Sequence, residues 1–387
     1  MTPAASRCVE RVRVPVTLAA ARSPLRRCSY PLFDIIVTRS LITAAIAALL
    51  VLASACSDPA GTDRPSPEHV HYASISAGKN FTCGLSTAGV AYCWGAGVPG
   101  DSARSDTSGT PRRVDGPPFV ELQADEFACA RTAAGEAYCW WPGRSPQPVA
   151  PGKGLLFASL ARPAPFSLGC GIEPSQALAC WTEDSLKVTK GPYLAIAPGA
   201  NCLLDAAGHI LCTQHPLTDY HGWQTFRPTF VAGDSLSTFT SIGGGVGSAC
   251  ALRTDGAAEC STRSAYGCCG AYWLNGFAAV PGGHTFTQLS AASVHACGLD
   301  ATGTAWCWGQ GAYYGENHPI GEPAPVLGAP PFVQVSASAG HACGVTASGD
   351  AYCWGDNSAG QLGGGTVGGS SAAPVKVVDA VTRPAPS

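Results

Sequence analysis

The stretch CGLSTAGVAYC, residues 83–93, sets two cysteines ten positions apart around a Thr-Ala-Gly. The same interval returns in CARTAAGEAYC from Cys129, CGIEPSQALAC from Cys170, CLLDAAGHILC from Cys202, CALRTDGAAEC from Cys250, CGLDATGTAWC from Cys297 and CGVTASGDAYC from Cys343. Fourteen of the 19 cysteines thus fall into seven pairs of one spacing, which makes the chain an array of repeats. Glycine follows the first cysteine by six positions in six units, a regularity that helices would not tolerate. A β-hairpin does tolerate it. With Ala88 at the turn centre, Cys83 and Cys93 face each other, and Gly89 closes a three-residue loop in the left-handed conformation. Opposed residues of an antiparallel pair stand about 5 Å apart, within disulfide reach. The expected bridges join Cys83 to Cys93, Cys129 to Cys139, Cys170 to Cys180, Cys202 to Cys212, Cys250 to Cys260, Cys297 to Cys307 and Cys343 to Cys353. In the third unit Gln176 holds the glycine position, so that hairpin is expected to turn differently.

Upstream of each pair runs a period-two strand pattern, such as YASISAG from Tyr72, FVELQAD from Phe119 and FVQVSAS from Phe332, with LLFASLA from Leu155 in the third unit. Further upstream lies a Pro- or Val-rich piece (TPRRV, SPQPV, LKVTK, RPTFV, FAAVP, PAPVL) that reads as an outer edge strand. Each unit then supplies four strands, and first cysteines recur every 43 residues or so, about the length of a propeller blade. The fold expected is all-β, a seven-bladed propeller. A last Pro/Val piece, 373–378, follows the final pair, and none clearly precedes the first, so Pro374 to Val378 is expected to close the ring on blade 1. Aromatic residues beside the second cysteines, Tyr92 with Trp94 and Tyr352 with Trp354 among them, read as packing between blades.

Cysteine pairing this regular belongs to an oxidising compartment. The segment TRSLITAAIAALLVLASAC, ending at Cys56, has a short apolar run followed by small residues and resembles a bacterial lipoprotein signal peptide. That resemblance implies lipidation of Cys56 and attachment to the cell envelope. Residues 1–36, with six Arg, fit no signal n-region and are expected to be untranslated or disordered, with initiation at Val37. The remaining organisation reads as signal peptide 37–55, lipidated cysteine and tether 56–69, propeller 70–380 and tail 381–387. Beyond residue 56 there are 16 Lys and Arg against 24 Asp and Glu, a formal charge of −8 that disfavours nucleic acid as a partner.

The segment AGHACGVTASGDAYCWGDNSAGQLGGG, residues 339–365, resembles the repeat of the regulator of chromosome condensation family. The likeness spans roughly residues 70–380 and is weakest in units four and five, where Thr213 and Ser261 replace tryptophan. It implies a seven-bladed propeller, in agreement with the cysteine count. The family's nucleotide exchange and chromatin binding rest on surface features that have no matching motif here.

No nucleophile elbow, Walker-type phosphate loop or His-Glu metal motif occurs. His209, His215, Asp219 and His221 are spaced irregularly, as solvated loop residues are, and no cofactor or metal is expected. Cys268 and Cys269 break the repeat; they form a vicinal disulfide, stay as thiols or bind a soft metal. Long loops after the hairpins of units four to six carry Tyr220, Trp223, Tyr266, Tyr272, Trp273, Tyr313 and Tyr314, a set that reads as a partner-binding patch or as a lid on blades lacking their own tryptophan. The function expected is that of a monomeric, envelope-anchored binding module for a protein or glycan. The rival classes are a propeller enzyme with its site at the central channel and a purely structural envelope protein.

Overall fold

In the computed structural model the described residues run from 67 to 381, apart from 98–106, 142, 150–153, 164–168, 182–185, 198, 200–201, 213–217, 220–221, 224–229, 233–236, 246–247, 265–272, 294 and 310–320. Residues 1–66 and 382–387, with the expected signal segment and Cys56, lie outside them, as do Cys268 and Cys269.

Seven blades of four antiparallel strands make the propeller, each taken in sequence order; two short terminal strands widen the first sheet to six, and a two-stranded ribbon is inserted in blade 4. Blade 1 consists of Tyr72–Ala77, Phe81–Ser86, Ala91–Gly95 and Ser108–Arg113, from the axis outward. Blades 2 to 7 follow over 119–148, 159–189, 193–232, 239–279, 288–325 and 332–376. Sequence reading set the outer strand one unit too late. TPRRV pairs with the hairpin before it, through Cys93 opposite Arg112, and every later piece does likewise. Residues 374–376 accordingly belong to blade 7's own outer strand, Ser370–Lys376. The C-terminal strand that does join blade 1 is Ala380–Val381, which lies parallel to blade 1's outer strand and is itself covered by Pro67–Glu68.

Disulfides bridge all seven pairs, with Cα atoms 4.0–4.1 Å apart. Glycines 89, 135, 208, 256, 303 and 349 take positive φ in the turns. Gln176 takes it too, at 62°, and its amide bonds Glu173 O as that of Gly89 bonds Ser86 O. The third hairpin therefore turns like the others, since neighbouring contacts outweigh the left-handed penalty. The Cys-Gly dipeptide also has a packing cause. A Cβ on Gly84 would stand 2.5 Å from the Tyr72 ring, and one on Gly344 2.7 Å from that of Phe332, because in the four Cys-Gly blades the aromatic at the start of the inner strand packs against this position.

Blades meet through sulfur and indole. Cys83 and Cys93 pack in one buried cluster with Trp140 of blade 2, and Cys343 and Cys353 in another with Trp94 of blade 1. The pairs of blades 2, 5 and 6 meet Trp181, Trp308 and Trp354 in the same way. Sulfur–aromatic contact adds about 0.3–1.5 kcal/mol to the apolar burial. Blades 4 and 5 offer no such tryptophan; Leu203 covers the third disulfide, and Ala249 and Ala251 the fourth.

Candidate functional site: the axial cavity

A main-chain bond links every hairpin turn to the start of the next blade's inner strand. Phe119 N donates to Gly89 O, Phe157 to Gly135, Tyr193 to Gln176, Phe239 to Gly208, Phe286 to Gly256 and Phe332 to Gly303; Tyr72 N closes the ring on Gly349 O. All seven turns thereby gather on one face, around the entrance of an axial cavity of about 520 Å³.

The wall of this cavity comes from the inner strands. Its polar side chains reach from one blade to the next: Val335 N donates to Gln288 Oε1, Ile75 N to Gln334 Oε1 and Leu160 N to Glu121 Oε1, at 2.8–2.9 Å. One layer deeper Ser290, Ser336 and Ser76 accept the amides of Ala337, Ala77 and Ala124. Glu121, the one carboxylate among the described lining residues, also receives Arg131 Nε at 2.9 Å. Its bonding is that of a strut between blades.

Arg162 closes the far end. Its guanidinium donates to the carbonyls of Ala77, Ala124, Ala291 and Ala337, the equivalent residues of blades 1, 2, 6 and 7, and stands 3.3 Å from Asp125 Oδ2. A side chain of blade 3 bonded to the consecutive blades 6, 7, 1 and 2 crosses near the axis and floors the cavity there. Burial lowers the Arg162 pKa against the opposing charge of Asp125, and burial raises that of Asp125 against Arg162. His295 and His341 lie in the same field, both buried. His341 Nε2 is 2.7 Å from Thr82 Oγ1 of blade 1, and that hydroxyl donates to Gln361 O.

Around the entrance the inner strands of blades 1, 2, 4, 5 and 7 carry a bulge one residue after the aromatic. The skipped residues are Ala73, Val120, Leu194, Thr240 and Val333; Val120, Leu194 and Val333, exposed by 53%, 45% and 60%, put three aliphatic side chains at the mouth of a polar pit.

None of this was singled out from the sequence. The signal available was a column of small residues, Ala77, Ala124, Gly244, Ala291 and Ala337, interrupted by Arg162. Of the aromatic set, Trp223 lies in a two-stranded ribbon inserted in blade 4 and Trp273 opens the outer strand of blade 5. Tyr220, Tyr266, Tyr272, Tyr313 and Tyr314 lie outside the described residues, as do His215 and His221. His209 sits 3.4 Å from Asp205, and the described residues contain no cluster suited to a metal ion.

Residues 332–361 match the regulator of chromosome condensation (RCC1) repeat. No curated protein matches the chain. Among solved structures, Prp20p from Saccharomyces cerevisiae is similar at 16% identity and TM-score 0.47, covering 79% of this chain and 76% of that one. The ectodomain of the Physcomitrella patens receptor kinase CR4 is similar at 22% identity and TM-score 0.47, with 73% and 72% covered. The CRINKLY WD40 ectodomain of Arabidopsis thaliana ACR4 is similar at 18% and 0.47, with 74% and 96% covered. The chain is a disulfide-stapled, seven-bladed β-propeller that carries a regulator of chromosome condensation repeat in its last blade.

Proposed function

We propose that this protein is an exported, lipid-anchored binding module that engages a protein or glycan through one propeller face, without chemistry of its own. Seven disulfides suit an oxidising, extracellular setting, and the segment before Cys56 supports the anchor. The observation that carries the reading is the axial cavity floored by Arg162, with the exposed aliphatic side chains Val120, Leu194 and Val333 at its mouth, a concavity of the kind that ligands occupy. The aromatic residues fall between third and fourth strands, whose junctions lie at the end opposite the turns, and are the competing candidate.

A photocrosslinking residue placed at Val333 in cells should give a discrete adduct, while one at Val188, on blade 3's outer strand, should not. Adducts at Trp223 or Tyr313 alone would move the contact to the aromatic loops. Adducts at none of them would leave the binding reading without support. Cys56→Ser should shift the protein from membranes to the soluble fraction; unchanged membrane association would refute the anchor.

A further inference from the structure

The main-chain bonds that set each hairpin turn beside the next inner strand also fix where the turn side chains lie. Six of the seven turns carry or adjoin a carboxylate: Glu136, Glu173, Asp205, Asp255, Asp300 and Asp350. They therefore lie outside the aliphatic side chains at the mouth. Several close their own turns, as when Asp300 Oδ1 accepts the amides of Thr302 and Thr304, but a carboxylate used in this way keeps its charge. The Ala257 amide holds the Asp255 carboxyl below its ordinary range, and the Lys376 ammonium does the same for Asp350, so both remain ionised at neutral pH. Part of the countercharge on this face is engaged: Arg253 meets Asp255 and Glu259, Lys376 meets Asp350 and Arg113 stands 4.0 Å from Asp115, while Lys190 is exposed in the connection to blade 4. Among the described residues, no lysine or arginine lies within ion-pair distance of Glu136, Glu173 or Asp300.

Three features thus lie together, from the axis outward: a polar pit floored by Arg162, the aliphatic side chains Val120, Leu194 and Val333, and turn carboxylates of which Glu136, Glu173 and Asp300 lack an ion-pair partner among the described residues. Leu327, 74% exposed, lies in the connection from blade 6's outer strand to blade 7. Their combination selects a partner. A nucleic acid or acidic glycan meets repulsion, and a neutral glycan gains nothing from the outer charge. We propose that this face docks a protein whose contact is a protruding apolar loop flanked by lysine and arginine, the tip entering the cavity and the basic flanks pairing with the turn carboxylates. The proposal rests on the reading that this face binds a macromolecule, and it names the chemistry of that partner.

Two disulfide-cyclised peptides of equal length, each with a Leu-Val tip, test it by fluorescence anisotropy with the mature chain. One peptide has Lys-Arg flanks and the other Glu-Glu flanks. The basic peptide should bind, with an affinity that falls about tenfold between low salt and roughly 0.3 M salt, since exposed pairs are screened over a Debye length. The triple variant E136Q/E173Q/D115N should weaken binding by a similar factor, and V120S/V333S should weaken it as well, both with unchanged melting temperature. Asp115 is included because its side chain is 99% exposed beside the same face. Equal binding of the acidic peptide, indifference to salt, normal affinity in either variant, or no binding of the basic peptide would each overturn the proposal. An in-cell adduct at Val333 together with any of those results would retain the face and discard the basic partner. Loss of the adduct as well would discard both.

Discussion

Acid should loosen this propeller well above the pH at which its carboxylates protonate. His295 and His341 stand two residues before the first cysteines of blades 6 and 7, where blades 1 and 2 place Phe81 and Phe127. Burial, with smaller contributions from His341 and Arg162, pushes the His295 pKa down to about 3. Burial and then Arg162 do the same for His341, also to about 3. Each imidazole is neutral when folded, yet has its ordinary value of 6.5 once unfolded. The unfolded chain therefore binds more protons between these limits, so stability is complete above about 6.5 and declines as pH falls toward 3. At about 1.4 kcal/mol per pH unit, going from pH 7 to pH 5 should cost about 2 kcal/mol for each histidine and about 4 kcal/mol for both. Asp255, Asp300 and Asp350, whose values are lowered, contribute stability that is lost only below about 4, outside this window. Asp125, raised chiefly by burial, acts in the opposite sense and trims the slope from its acid end. Denaturant unfolding at pH 7 and pH 5 with disulfides intact measures the difference. The double variant H295F/H341F, which installs the aromatic used in blades 1 and 2, should flatten it. Equal stability at the two pH values, or a slope that survives in the double variant, would refute the assignment.

Arg162→Met should destabilise by about 2–4 kcal/mol, because it strands four carbonyls and a partly buried carboxylate. A loss below about 1 kcal/mol in denaturant unfolding would show that channel water replaces the clamp. Gln176→Gly should raise stability by about 1 kcal/mol by relieving the left-handed backbone, and Gly208→Ala, at φ 86°, should lower it. The reverse order of melting temperatures would mean that side-chain contacts dominate these turns. Truncation after Val378 removes the Asp379 carboxylate, 2.8 Å from His69 Nδ1, and the strand lying on Arg112. Faster amide exchange along Ser108–Arg113 and a lower melting temperature should follow; unchanged exchange would show that the added strand does not protect that edge.

The hairpins were legible because two constraints coincide in them. Cysteines can bridge only across a register that puts them opposite, and a three-residue turn requires positive φ at its last position. The blade boundary was not legible, since a period gives the length of a repeat and not its phase. TPRRV stands between two cysteine pairs, and only hydrogen bonding decides which of them it serves. Gln176 misled because propensity is local, whereas its turn is held by Tyr193 N on Gln176 O from the next blade. Arg162 escaped notice for a geometric reason: its carbonyl partners lie 38 to 175 residues away and converge only once the ring exists. The outward Val120 and Val333 follow from bulges that interrupt the period-two pattern.

The bonds from each turn carbonyl to the next inner strand involve main-chain atoms alone, so side-chain replacement cannot abolish them directly. This gives the repeat freedom to drift. Blades 4 and 5 have Thr213 and Ser261 where other units have tryptophan, yet Phe239 N still finds Gly208 O and Phe286 N still finds Gly256 O. Each unit reports its position to its neighbour through peptide groups that every residue except proline possesses. A ring joined in this manner can lose the identity of its parts before it loses their order, which leaves individual blades open to acquire new surfaces without renegotiating the circle they belong to.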